Sequence, residues 1–212
     1  MTNREKYILS IYEELSDMGK HENVKLVKNT VNDGIYIKKT LKNYNIEIYK
    51  ILKNRQIKGI PKVYEIIEDE KELIIIEEYI HGLTLDKKYN KTDVETVKKI
   101  MEQLCNILKQ IHNMNPPIIH RDIKPTNIIV SNDDVVYLVD FNISREYDEN
   151  QSVDTVIMGT QGYASPEQCG FAQTDCRSDI YSIGMLMKNI LMVDEYPDKE
   201  TKSIKRIIDK CT

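Results

Sequence analysis

The sequence predicts an α+β fold in two lobes, a small strand-rich lobe with one helix over residues 1–80 and a mainly helical lobe over residues 81–212. Three observations carry this. Ahead of residue 80, short runs alternate apolar and polar residues between Asn, Asp and Gly turns. Beyond it, apolar residues recur at helical spacing. The composition, 41% hydrophobic and 30% charged, is apolar enough to bury a core and too evenly patterned for disorder.

Taken in order, VKLVKN, GIYIKKTL, KVYEIIED and ELIIIEEYI read as strands, interrupted by one short helix over about Asn45 to Leu52. Residues Glu78 to His81 join the lobes, and the joint is the expected place for a ligand cleft. Thr92-Asp-Val-Glu95 reads as a capping box opening a long helix. Val94, Val97, Met101, Leu104, Leu108 and Ile111 form its apolar face, and Pro116 and Pro117 stop it. Residues 128–130 and 135–139 read as a strand pair across the turn SNDD, and residues 180–192 as another buried helix.

The 34 acidic and 30 basic residues give a net charge of -4, so no basic surface points to nucleic acid and no polybasic segment to a membrane. Glutamates break the apolar runs well short of the roughly 20 residues a spanning helix needs. The N-terminus MTNREKYILS carries charge where a leader needs an apolar run, so a cytoplasmic location is expected. Cys105, Cys169, Cys176 and Cys211 form no CxxC pair or metal-ligand spacing and read as reduced structural thiols.

The stretch HRDIKPTNIIVSNDDVVYLVDFN concentrates the chemistry. Asn127 precedes the first strand of the pair and Asp140 follows the second, so both side chains are expected at one end of a hairpin, with Asp122 on the loop leading in. An Asn carbonyl and an Asp carboxylate are hard oxygen ligands, and magnesium takes one or two such groups together with phosphates and water. Taken singly, each of these residues also fits an ordinary strand-end turn.

Together they carry a resemblance. His120-Arg121-Asp122-Ile123-Lys124-Pro125-Thr126-Asn127 resembles the catalytic loop of protein kinases, and Asp140-Phe141-Asn142 their metal-binding turn. Gly159-Thr160-Gln161-Gly162-Tyr163-Ala164-Ser165-Pro166-Glu167 and the Asp179 to Gly184 segment follow in the family's order. The chain is thus similar to eukaryotic-like Ser/Thr protein kinases of the kind bacteria also carry. The resemblance implies a bilobal kinase-like fold that uses ATP and Mg2+ to phosphorylate Ser/Thr hydroxyls of proteins, itself included. It implies Asp122 as the residue that orients or takes the substrate proton, Lys124 as the cation beside the transferring group, and Asn127 and Asp140 as the metal ligands. His120 would stack under Phe141, Asp179 would brace the loop through backbone N–H groups, and Thr160 would bond Asp122 and Lys124.

In the first lobe the family's phosphate-covering hairpin best fits Asp17 to Val24, where Gly19 alone of its glycines remains. Val24 and Lys39 stand fifteen residues apart, the interval such kinases leave before the nucleotide lysine. Strand alternation favours Lys39, with Ile35 and Ile37 on its face, and keeps Lys38 as the alternative. Glu47 resembles the helix glutamate that holds this lysine, although a surface ion pair along the helix explains it too, and Ile51 would pack toward Phe141. Glu78 to Ile80 resemble the hinge that binds adenine edges. Glu77 then stands where an apolar gate residue is usual and is within reach of Lys39 as a rival to Glu47.

Several departures bear on activity. Asn142 replaces a glycine, and Asn tolerates the left-handed turn such a position requires. Asp17 and Glu22 set carboxylates in the phosphate hairpin. The chain stops at IKRIIDKCT, ahead of the family's final helices and the arginine that pairs with the residue matching Glu167, which implies a fold truncated at its C-terminal end. Arg121 implies control by a phosphate, for which Ser152 and Thr155 are the candidates. The alternative function is a nucleotide-binding regulatory module of the same fold with weak or no catalysis.

Overall fold

The computed structural model describes residues 1–18, 23–70, 72–148, 159–170, 173–191 and 198–212. Backbone contacts divide the chain into two compact units, Met1–Ile80 and His81–Thr212.

The first unit opens with helix α1 (Asn3–Ser10), which the sequence reading did not anticipate. Thr2 and Glu5 close a capping box at its start, with Thr2 N–H donating to the Glu5 carboxylate at 2.6 Å. Strand β1 (Tyr12–Asp17) follows, then β2 (Val24–Asn29) and β3 (Ile35–Leu41). Helix α2 (Ile46–Arg55) runs three residues past the expected Leu52, begins with Asn45 accepting from Glu47 N–H, and ends on left-handed Gln56. Strands β4 (Val63–Asp69) and β5 (Glu72–Glu78) complete an antiparallel sheet of order β1-β2-β3-β5-β4. The four strands read from alternation are β2, β3, β4 and β5.

Register decides which side chains meet. Lys39 lies opposite Val24 on β2 and Ile75 on β5, and Ile37 lies opposite Glu77. Because side chains alternate along a strand, Val24, Ile37, Lys39, Ile75 and Glu77 share one face. Lys38 and Tyr36 share the other, where Lys38 pairs with Glu14 at 2.8 Å and the Tyr12, Tyr36 and Tyr64 rings meet edge to face.

The second unit begins with strand β6 (Gly82–Thr84) and helices α3 (Leu85–Lys88) and α4 (Val94–His112). Asp93, not Thr92, caps α4 by accepting from Thr96 N–H at 2.9 Å. Thr92 is held elsewhere, its own N–H donating to Ile190 O. The expected apolar face of α4 is buried apart from half-buried Val94, with Ile100 and Ile107 added. Strand β7 (Ile118–Ile119), a 3-10 turn (Pro125–Asn127), β8 (Ile128–Ser131), β9 (Val136–Leu138) and β10 (Arg145–Glu146) follow. They form two small sheets, β6-β8-β9 and β10-β7. A 3-10 turn (Pro166–Cys169) precedes α5 (Cys176–Ile190), which starts four residues ahead of the expected 180, and α6 (Lys199–Cys211) ends the chain. Cys105, Cys176 and Cys211 are free thiols.

Gly82 marks a contact that sequence reading passed over. A Cβ there would stand 2.4 Å from Val130 O and 2.7 Å from Ser131 Cα, both backbone atoms of β8. No rotamer change relieves such a clash. Gly82→Ala is therefore expected to cost about 3 kcal/mol, the upper part of the overpacking range. A urea-unfolding midpoint equal to wild type would refute this.

Candidate active site

The loop from His120 to Asn127 leaves β7 and enters β8, and a buried carboxylate shapes it. Asp179 of α5 is fully buried and accepts His120 N–H at 2.9 Å and Arg121 N–H at 2.8 Å, one on each oxygen. His112 Nε2 of α4 lies 2.8 Å from the same carboxylate. This brace holds Arg121 at φ 67°, a left-handed conformation that a non-glycine residue keeps only when its surroundings enforce it. Asp179 thus does what the resemblance implied.

His120 is a packing residue. Its Nε2 bonds Val139 O, which can only accept, and its Nδ1 lies 3.3 Å from Asp122 N–H, which can only donate. Only the neutral ring with its proton on Nε2 satisfies both. Burial lowers the His120 pKa from its usual value, against the opposing pull of Asp179, Asp122 and Asp140, which favours the same neutral form. Its ring meets Phe141 edge to face at 4.7 Å between centroids, a contact of the expected pair in a different orientation.

Around Asp122 the loop forms a closed polar cluster. Thr160 Oγ1 donates to Asp122 Oδ1 at 2.7 Å, and Lys124 Nζ stands 2.7 Å from Oδ2 while donating to Thr160 Oγ1 at 2.9 Å. Asn127 Nδ2 donates to Asp122 Oδ2 and to the Asp122 carbonyl, each at 2.9 Å. With its nitrogen committed there, Asn127 has Oδ1 left for a cation. Asp140 follows β9 at φ 68°, and its Oδ1 is buried with no hydrogen-bond partner among the described residues. A buried carboxylate oxygen without a donor is costly, and a cation is the ligand that would satisfy it. Among the described residues no three His, Cys, Asp or Glu side chains gather as a metal site. One amide oxygen and one carboxylate instead fit magnesium, which keeps most of its shell as water and phosphate.

The left-handed residue of this turn is Asp140, not Asn142, which is absent from the positive-φ positions. The expectation built on Asn142 is corrected accordingly: the left-handed residue stands two positions after the end of β9, at Asp140, and position 142 does not take that conformation.

Residues 159–170 are tied to the same loop. Gln168, which sequence reading missed, donates from Nε2 to Arg121 O at 2.7 Å, and its side chain fills the space beside Gly159. Glu167 accepts from Ser178 Oγ at 2.7 Å, so it has a partner within the unit. Arg121 Nε donates to Ile143 O at 2.7 Å. Ser152 and Thr155 lie outside the described residues, as do Gly19 and Glu22.

In the first unit Lys39 Nζ stands 2.6 Å from Glu77 Oε1, with both side chains 9% exposed. Glu47 is not its partner. Its carboxylate is 58% exposed and 2.7 Å from Lys50, because it sits in the first turn of α2, off the face that buries Ile48, Tyr49 and Leu52. This corrects the expected Lys39–Glu47 pair. Glu78 is bound twice to Lys62, donating its N–H to Lys62 O at 2.8 Å and accepting Lys62 N–H on its side chain at 3.1 Å. Ile37 and Ile80 are buried and Val24 is half-buried.

Comparison with known proteins agrees with this arrangement. Residues 14–212 match the model of the protein kinase domain. A probable serine/threonine-protein kinase of Clostridium acetobutylicum is 35% identical over 131 residues, which are 61% of this chain and 20% of that protein. Serine/threonine-protein kinase D of Synechocystis is 34% identical over 59% of this chain and 26% of its own length. Skeletal and cardiac muscle myosin light chain kinase 2 of Rattus norvegicus is 29% identical over 74% of this chain and 29% of its own. The matched stretch is thus less than a third of each relative. With the kinase-domain match running across both compact units, the chain belongs to the protein kinase family, among the eukaryotic-like serine/threonine kinases.

Proposed function

We propose that the chain transfers the γ-phosphoryl group of ATP, with Mg2+, to Ser/Thr hydroxyls of proteins, including its own. The observation that carries this is the cluster of Asp122, Lys124, Asn127 and Thr160 together with the partnerless Oδ1 of Asp140. Asp122 accepts the substrate hydroxyl's hydrogen bond and then its proton. The Thr160 hydroxyl, 2.7 Å from Oδ1, shows the geometry that Asp122 offers such a donor. Lys124 places positive charge beside the reacting oxygen, where the developing charge of a loose transition state needs it. Asn127 Oδ1 and the Asp140 carboxylate would hold Mg2+, which neutralises phosphate charge when bound.

Residues 1–80 supply the nucleotide-binding part, with Lys39 at the phosphates, Val24 and Ile37 beside the base, and the Glu78 carbonyl and Ile80 N–H at the adenine edge. Residues 81–212 supply the catalytic part. No helix among the described residues is long and apolar enough to cross a membrane.

The test is incubation of the purified chain with labelled ATP, Mg2+ and a generic basic protein substrate. Label on Ser or Thr of either protein is the expected result. Thermal stabilisation by ATP without any transfer would replace this reading with that of a nucleotide-binding module.

A further inference from the structure

Two carboxylates lie within reach of Lys39 in the sequence, one on a helix and one on a strand. The sheet register chooses between them. Lys39 opposes Ile75 and Ile37 opposes Glu77, so Glu77 is the diagonal neighbour of Lys39 on one face of two hydrogen-bonded strands. Their charged atoms stand 2.6 Å apart in a place with 9% exposure on each side. Glu47 is exposed and already paired with Lys50.

We propose that Glu77 is the positioning residue for Lys39, so that the sheet itself holds the amine and helix α2 takes no part. In kinases whose lysine is held by a helix acid, moving the helix switches the enzyme. Here both partners are fixed in β3 and β5, and removing either takes from a buried charge its ion-pair partner at 2.6 Å. The Lys39–Glu77 pair is therefore made without any contribution from α2. The proposal rests on the phosphoryl-transfer reading for its kinetic consequence only, since the pairing is a property of the sheet.

The test compares wild type with Glu77→Gln, Glu77→Asp and Glu47→Gln. One readout is KM for ATP against kcat. The other is acetylation of Lys39 by acetic anhydride without nucleotide, mapped by peptide mass spectrometry. Loss of a charge-assisted partner is expected to raise KM for ATP by roughly tenfold in Glu77→Gln, with a smaller change in kcat. Lys39 labelling should rise several-fold in that variant and be partly restored to the wild-type level in Glu77→Asp. Glu47→Gln should stay within about twofold of wild type in both readouts, as an exposed pair does.

A loss confined to Glu47→Gln would overturn the proposal, and so would a lower KM in Glu77→Gln, which would make Glu77 a trap for the lysine rather than its support. Should Glu77→Gln fold poorly by circular dichroism, the Glu77→Asp and Glu47→Gln labelling patterns still decide. Should wild type transfer no phosphate, the functional reading fails while the labelling still identifies the partner of Lys39.

Discussion

Asp122→Asn is expected to lower kcat for phosphate transfer by about 10²- to 10⁴-fold, the usual contribution of a positioned acid–base group. An amide cannot take the substrate proton. It also disturbs its neighbours, because Lys124 Nζ and Asn127 Nδ2 both point at Asp122 Oδ2, and an amide nitrogen at that position would set donors against donors. If the amide instead turns its oxygen toward them, Thr160 loses its acceptor at Oδ1. Either orientation breaks the cluster on one side. Initial rates with labelled ATP measure the effect, and KM for ATP should change little, since Asp122 is assigned to the hydroxyl and not the nucleotide. A variant that keeps more than about a tenth of wild-type kcat would remove Asp122 from the proton-handling role.

What the sequence made legible follows from how local each signal is. The strands β2 to β5 showed because one face of each is buried and apolar residues recur at period two, whereas β1, YEELSD, is an exposed edge strand with little apolar pattern to read. Asp122, Lys124, Asn127 and Asp140 lie close together along the chain, so the loop and hairpin around them could be anticipated as a unit. The start of helix α4 was legible to within one residue, while its end at His112 comes before the expected stop at Pro116, and its cap slipped because Thr92 is bound to the end of α5, a long-range contact that a local capping pattern does not contain.

The partner of Lys39 depended on register. Eight positions separate it from Glu47 and thirty-eight from Glu77, yet strand pairing brings the distant one alongside. Backbone conformation was equally hidden. The resemblance pointed to Asn142, in place of a glycine, as the residue of a left-handed turn, while the chain takes that conformation at Asp140 and Arg121. Gly82 and Gln168 gave no signal of their own, because their roles are defined by the atoms of β8 and by the carbonyl of Arg121.

Asp179→Ala is expected to have the largest effect on stability, about 3 to 5 kcal/mol, from the loss of its buried hydrogen bonds. Alanine leaves His120 N–H and Arg121 N–H facing an apolar hole, each costing about 1–3 kcal/mol when left unmade, and it strands His112 Nε2 as well. Against a total of roughly 5–15 kcal/mol for a domain, that is a large fraction. The same change frees Arg121 from its left-handed conformation, so the loop carrying Asp122 relaxes and transfer should fall even in molecules that remain folded. Asp179→Asn separates the two effects. With the amide oxygen toward His120 N–H and His112 Nε2, which share one carboxylate oxygen, the amide nitrogen opposes Arg121 N–H, so the stability loss should be smaller than that of alanine although Arg121 is released. His112→Ala keeps both backbone bonds and should disturb catalysis least. Urea midpoints, kcat and amide hydrogen exchange at His120 and Arg121 test the series. Equal stability of wild type and Asp179→Ala, or slow exchange at both amides in that variant, would show that something other than this carboxylate holds the loop in place.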